Sequence, residues 1–230
     1  MIRLVVAMGP RFLRGRIKGG ASREWCALHH GFRTLAGRGF AMIPPLDPVT
    51  GHLPLGRYRC TLAEIRARFV DDDQFAGSKT RRTRYVGLEK YLEAWKLVQE
   101  KVSEPDVLMG LWIGGSFTPS VIDPDDVDVS PQLNGPKLAD LNGKPGVKPL
   151  KMLFGHRPAV VKAYGVEPFP FTWYPVVSPL AGDCSILEAD YYQTRGSMDD
   201  FWQRVRPAGP KRAPTMDDVH GRRGYLEVIL

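Results

Sequence analysis

The order of elements predicts an α+β fold, and three observations carry that prediction. An apolar run, Leu108 to Ile113, has the length of a buried strand and stops at Gly114, Gly115 and Ser116. After a Pro-marked polar loop, Asp126-Val127-Asp128-Val129 alternates strictly, and period two is the period of a strand. Upstream, Tyr85, Leu88, Tyr91, Leu92, Trp95 and Val98 step by three or four and lay one apolar stripe along a long helix. Helices and strands are interleaved without the strict alternation of a doubly wound sheet.

Residues 1–41 hold eight Lys/Arg and one acid, Glu24, and so carry the whole net charge of +7; the remainder balances at zero. A basic arm of this kind binds nucleic-acid phosphates weakly and without sequence preference. A short helix from Ser22 to Leu35, capped by Ser22, fits the segment. Its apolar residues are otherwise aperiodic, and scattered contacts do not offset the entropy of ordering some forty residues. The expectation is therefore a poorly ordered basic extension over residues 1–41, with weak nucleic-acid binding as its less favoured reading, and a domain over residues 42–230.

Residues 43–57 are dense in Pro and Gly and read as an extended connector, with His52 as a loop histidine. Thr61-Leu62-Ala63-Glu64 is a capping box that starts a helix running to about Val70. The striped helix runs from about Ser78 to Val102. Lys79, Arg81, Arg82 and Arg84 crowd its first turns, against the helix dipole. That cluster reads as a solvated face, with an anionic substrate as the other reading. Downstream come a Gly-Lys-Pro-Gly linker, the apolar Pro149 to Phe154 and a helix from His156 to Tyr164 ended by Gly165. A strand from Pro168 to Val177, blunted by Pro170 and Pro175, is expected next. Short helices over Leu187 to Tyr192 and Met198 to Val205 follow, and Gly224 to Leu230 closes the chain as a strand.

Composition bounds the function. Hydrophobic residues are 43% and charged residues 25%, enough for an ordinary globular core. No run approaches a membrane span, and the short apolar Leu4 to Met8 lacks the length of a signal-peptide core. Cys26, Cys60 and Cys184 are odd in number and far apart, which argues against a zinc site and a disulfide framework. A cytoplasmic protein is expected. No phosphate-binding Walker loop, nucleophile elbow or dinucleotide fingerprint is present.

The chemistry concentrates between Leu108 and Ser130. Alternation puts Asp126 and Asp128 on one face of their strand and Val127 and Val129 on the other. Two neighbouring carboxylates repel, and a half-buried pair needs a cation or a bound proton. A hard divalent ion such as Mg²⁺ takes such oxygen ligands and leaves other positions for water and substrate phosphates. Backbone N–H groups and the hydroxyl of Gly114-Gly115-Ser116 suit a phosphate. A calcium loop does not fit: counted from Asp123, the required Gly at position six is Asp128 and the acid at position twelve is Asn134.

Gly115-Ser116, nine residues, then Asp126-x-Asp128 resembles the signature of the nucleotidyltransferase superfamily with a polymerase-beta-type palm. Ile43-Pro44-Pro45-Leu46-Asp47 and the Gly-His-Leu-Pro-x-Gly run from Gly51 to Gly56 are similar to a small branch of that superfamily in bacteria and their phages. The resemblance implies a mixed β-sheet with helices packed mainly on one face. It implies that Gly115 and Ser116 hold the phosphates of a nucleoside triphosphate. Asp126 and Asp128 would then be catalytic and hold Mg²⁺, and a nucleotidyl group would pass to RNA, a protein or a small molecule. Members also carry a third carboxylate on a later strand. The matching strand here, Pro168 to Val177, contains no acid; Thr172 or Tyr174 takes the place, and Glu167, Asp183, Glu188 and Asp190 only flank it. That departure leaves a second reading: a catalytically degenerate nucleotide-binding or interaction module, in a bacterial or phage defence or toxin–antitoxin context.

Overall fold

Thr61 starts helix α1 (Leu62–Phe69) as its capping box dictates. The Glu64 N–H donates to Thr61 Oγ1 at 3.2 Å, and the Thr61 N–H donates to Glu64 Oε2 at 2.7 Å. The long helix α2 (Arg81–Lys101) buries Tyr85, Leu88, Tyr91 and Trp95, the expected stripe. These contacts belong to a computed structural model that describes residues 43–179, 184–206 and 212–230, all in one unit, Ala41–Leu230. The basic segment 1–41 with its Ser22 to Leu35 helix, and Asp183, lie outside the described residues.

Six strands form one mixed sheet: β1 (Arg57–Arg59), β2 (Leu108–Gly114), β3 (Val127–Asn134), β4 (Val166–Pro168), β5 (Phe171–Trp173) and β6 (Tyr225–Ile229). The order is β1-β6-β2-β3-β4, and β5 pairs further along β3. β2 runs antiparallel to both β3 and β6, whereas β1–β6, β3–β4 and β3–β5 are parallel. Helices α1, α2, α4 (Val147–Gly155) and α5 (Arg157–Tyr164) cover one face, and α3 (Gly135–Asp140) caps the end of β3. Alternation sends Leu111, Ile113, Val127, Val129, Leu133, Leu226 and Val228 into that core. The opposite face holds a smaller aromatic core of Trp112, Phe171, Tyr191, Trp202 and Tyr225 under one helix, α6 (Ile186–Gln203). The α+β class and the helices mainly on one face are as expected. Among the described residues, no helix is long and apolar enough to cross a membrane.

Several elements differ from expectation for identifiable reasons. The Pro168 to Val177 strand is two strands, because Pro170 has no N–H for the ladder; the Phe169 N–H still donates to Val129 O at 2.8 Å. The two short C-terminal helices are one. Ser185 and Glu188 form a capping box, no Pro interrupts residues 186–203, and Tyr191, Met198 and Trp202 share one buried stripe across Gly196. β3 runs on past Val129 through Pro131 to Asn134. The end of the connector, Arg57–Arg59, is an edge strand beside β6.

Arg81 is not on a solvated face. It is 1% exposed, and its guanidinium donates to the carbonyls of Phe69 (3.1 Å), Phe117 (2.8 Å), Pro119 (2.7 Å) and Val121 (3.1 Å). The Phe75 ring lies 3.6 Å beneath it. Burial lowers its pKa to about 10, so it stays charged at neutral pH. At the start of α2, Asp123 Oδ1 accepts from the N–H groups of Lys79 (2.6 Å) and Thr80 (3.2 Å). The loop between β2 and β3 is thereby tied to α2 at two points.

Candidate metal centre

β3 delivers Asp128 by its alternation, and the residues leading into it supply Asp126. Val127 and Val129 are fully buried in the main core, while Asp128 points to the other face, with Asp126 just ahead of the strand. Of the neighbouring acids, Asp123 holds the N–H groups of Lys79 and Thr80 just ahead of α2, and Asp125 is exposed. Antiparallel pairing sets Gly114 opposite Asp128, which brings the Gly-Gly-Ser turn alongside the carboxylate. Parallel pairing of β3 with β4 sets Glu167 opposite Asp128. One carboxylate oxygen each from Asp126, Asp128 and Glu167 lies within 4.8 Å of the others.

The third corner therefore holds an acid. The strand that supplies it begins at Val166, two residues before the Pro168 at which it was expected. Gly165 ends α5 with φ +65°, and the chain enters β4 at once. Val166-Glu167-Pro168 right after that helix stop is the signal the sequence carried. Three residues are too few for alternation to be read with any force. Thr172 and Tyr174 take no place in the acid cluster.

Asp128 carries the electrostatic load of this arrangement. Burial, then the negative charges of Asp126 and Glu167, push its carboxyl up to about 7, against the opposing hydrogen bond from the Ser116 backbone N–H. Gly115 has φ +64°, and a Cβ there would overlap the Asp128 carboxylate. A glycine at 115 is thus required twice, by the left-handed turn and by the acid that sits over it. Ser116, half-buried, follows on the same turn.

Two cations partly offset the acids. Arg157 Nη1 lies 3.5 Å from Glu167 Oε1, its guanidinium 4.2 Å from the centre of the Phe169 ring. Arg223, just before β6, donates from Nη1 to Gly115 O at 2.9 Å and from Nε to Trp202 O at 3.3 Å. It feels the Asp128 charge and in turn lowers the pKa of His52, after the effect of burial. His52 Nδ1 is buried and has no hydrogen-bond partner among the described residues. Neither Arg223 nor His52 stands out in the sequence, since each lies in a loop far from the acid pair.

Chemically, the cluster is three hard oxygen donors whose mutual repulsion the nearby arginines do not cancel. It fits a hard divalent cation, and carboxylates suit Mg²⁺, Mn²⁺ or Ca²⁺ alike. Thiolate and imidazole donors are not part of it. No curated protein and no solved structure matches the chain. A family model does match, over residues 44–229, which spans every strand and helix described above. The chain belongs to that family, DUF6932, a family of unknown function.

Proposed function

We propose that this protein is a divalent-metal-dependent nucleotidyltransferase of the cytoplasm, with Mg²⁺ as the working ion. The observation that carries the reading is Glu167 opposite Asp128, which completes a carboxylate triad beside a Gly-Ser turn. In the proposed reaction a hydroxyl oxygen of the acceptor bonds to the α-phosphorus of a nucleoside triphosphate, the bond to pyrophosphate breaks, and the hydroxyl proton passes to solvent. A metal held by Asp126, Asp128 and Glu167 would stabilise charge on the attacking and leaving oxygens. Gly115 and Ser116 would meet the phosphates, with the fixed positive charge of Arg223 behind the turn. Arg157 orients Glu167. The acceptor belongs to the classes named above: RNA, a protein or a small molecule.

The degenerate-module reading drew its support from an acid-free third corner, and Glu167 removes that support. The test is incubation with each labelled nucleoside triphosphate and Mg²⁺ or Mn²⁺ in the presence of cell extract. Label should appear on an acceptor with the unaltered chain and not with Asp126→Asn, Asp128→Asn or Glu167→Gln. Equal labelling by the acid variants would dispose of the assignment.

A further inference from the structure

A second cluster of charge lies on the helical side of the sheet, where α2 crosses the C-terminal end of α5. The helices approach closely because residue 87 is glycine; a Cβ there would overlap the Tyr164 carbonyl. Beside the crossing is a cleft of about 340 Å³, lined by Arg82, Arg84, Lys90, Lys162, Tyr164 and Gly165 among others, with no acid in its wall. Arg82 is paired with Asp71 at 3.0 Å. Arg84, Lys90 and Lys162 form no ion pair among the described residues. Arg84 packs against Gly165, where a Cβ would come within 2.6 Å of its Nη1. Its Nε is buried and has no hydrogen-bond partner among the described residues. The negative end of α5 accounts for one cation here, and Lys162 in its last turn already serves that role. It does not account for Arg84 and Lys90, which have no acidic partner among the described residues.

We propose that this cleft binds a phosphate group, as a polyphosphate or a phosphomonoester. A carboxylate brings one charge. A phosphate brings up to two and offers oxygens to the guanidinium and both lysines together. The cleft's volume is at the low end for small-molecule sites, which sets the ligand's size at a phosphate with little attached to it. Gly165 lies in the cleft wall, two residues before Glu167, whose carboxylate is on the opposite face of the sheet. On the transfer reading, and resting on it, the phosphate belongs to the acceptor.

The test is calorimetric titration of the full chain with inorganic pyrophosphate, with a chelator present so that no divalent ion bridges it to the triad. The unaltered chain should bind. Arg84→Gln combined with Lys162→Gln should weaken binding at least tenfold, and Lys90→Gln with Lys162→Gln, both at exposed positions, at least threefold. Asp126→Asn with Asp128→Asn should leave it unchanged. No binding by the unaltered chain, equal binding by the cleft variants, or loss in the acid variant would each overturn the proposal. Because no metal is present, failure of nucleotidyl transfer alongside these results would remove the transfer reading and leave the cleft. A single-stranded RNA oligonucleotide that competes with pyrophosphate, and loses affinity in the same variants, makes the ligand a strand phosphate. Absence of competition makes it a small molecule.

Discussion

Replacing Asp128 by Asn should stabilise the protein when divalent ions are absent, and that sign separates a metal centre from a structural acid. Asp128's carboxyl is raised from 3.8 to about 7 because burial and two neighbouring carboxylates disfavour its charge. A raised acid binds its proton more tightly in the folded than in the unfolded chain. The stability it contributes is therefore present at low pH and is lost as pH climbs from about 4 to about 7. At about 1.36 kcal/mol per unit, the shift sets a ceiling of about 4 kcal/mol above that window. Asp128 is half-buried and shares its proton with its neighbours, so screening and coupling reduce the figure to about 1–2 kcal/mol. Asparagine keeps the shape, accepts from the Ser116 N–H and carries no charge. For a domain of this size the gain is roughly 2–8 °C in melting temperature. Saturating Mg²⁺ should stabilise the unaltered chain by about 3 kcal/mol at a hundredfold excess over Kd. It should do little for Asp128→Asn. Scanning calorimetry at about pH 5 and pH 8, with chelator or with Mg²⁺, reads all four conditions; the variant's advantage should appear only at the higher pH without metal. A lower melting temperature for the variant at about pH 8 in chelator, or an equal Mg²⁺ shift in both proteins, would refute the reasoning.

Glu167→Gln should lower Mg²⁺ affinity about tenfold or more, read by Mg²⁺-dependent thermal shift, since one of three anionic donors is lost. Gly115→Ala forces a side chain into φ +64° and onto Asp128; it should cost about 1–2 kcal/mol from the backbone alone in urea unfolding and weaken Mg²⁺ binding as the carboxylate moves. Arg81→Lys keeps the charge but cannot reach four carbonyls, so it should cost about 2–4 kcal/mol in the same assay, with Asp123 still able to hold the Lys79 N–H.

What was legible in the sequence divides along a physical line. The stripe of α2, the capping box of α1 and the alternation of Asp126 to Val129 are encoded within a few residues of one another, so period and spacing reveal them. Glu167 reaches Asp128 only because β4 pairs with β3 across 38 intervening positions, and no local period announces that pairing. Arg81 shows the same limit from the other side. A cation in the first turn of a helix reads as solvated because no acceptor is evident near it in the chain, yet three of its four acceptors are carbonyls of the loop that precedes Asp126, and the fourth is the Phe69 carbonyl at the end of α1. Asp123 belongs to the same arrangement: it looks like a member of the acid cluster and instead holds the backbone just ahead of α2. Arg81 and Asp123 together fix the loop at its start and near its end, from Phe117 to Asp123. That leaves the Gly115–Ser116 turn and the Asp126–Asp128 pair as the two ends of a clamped segment. The spacing between Gly-Ser and Asp-x-Asp is thus not a spacer length alone. It is the length of chain needed to leave β2, bind a buried arginine, hold the backbone ahead of α2 and return to β3 with the carboxylates beside the turn.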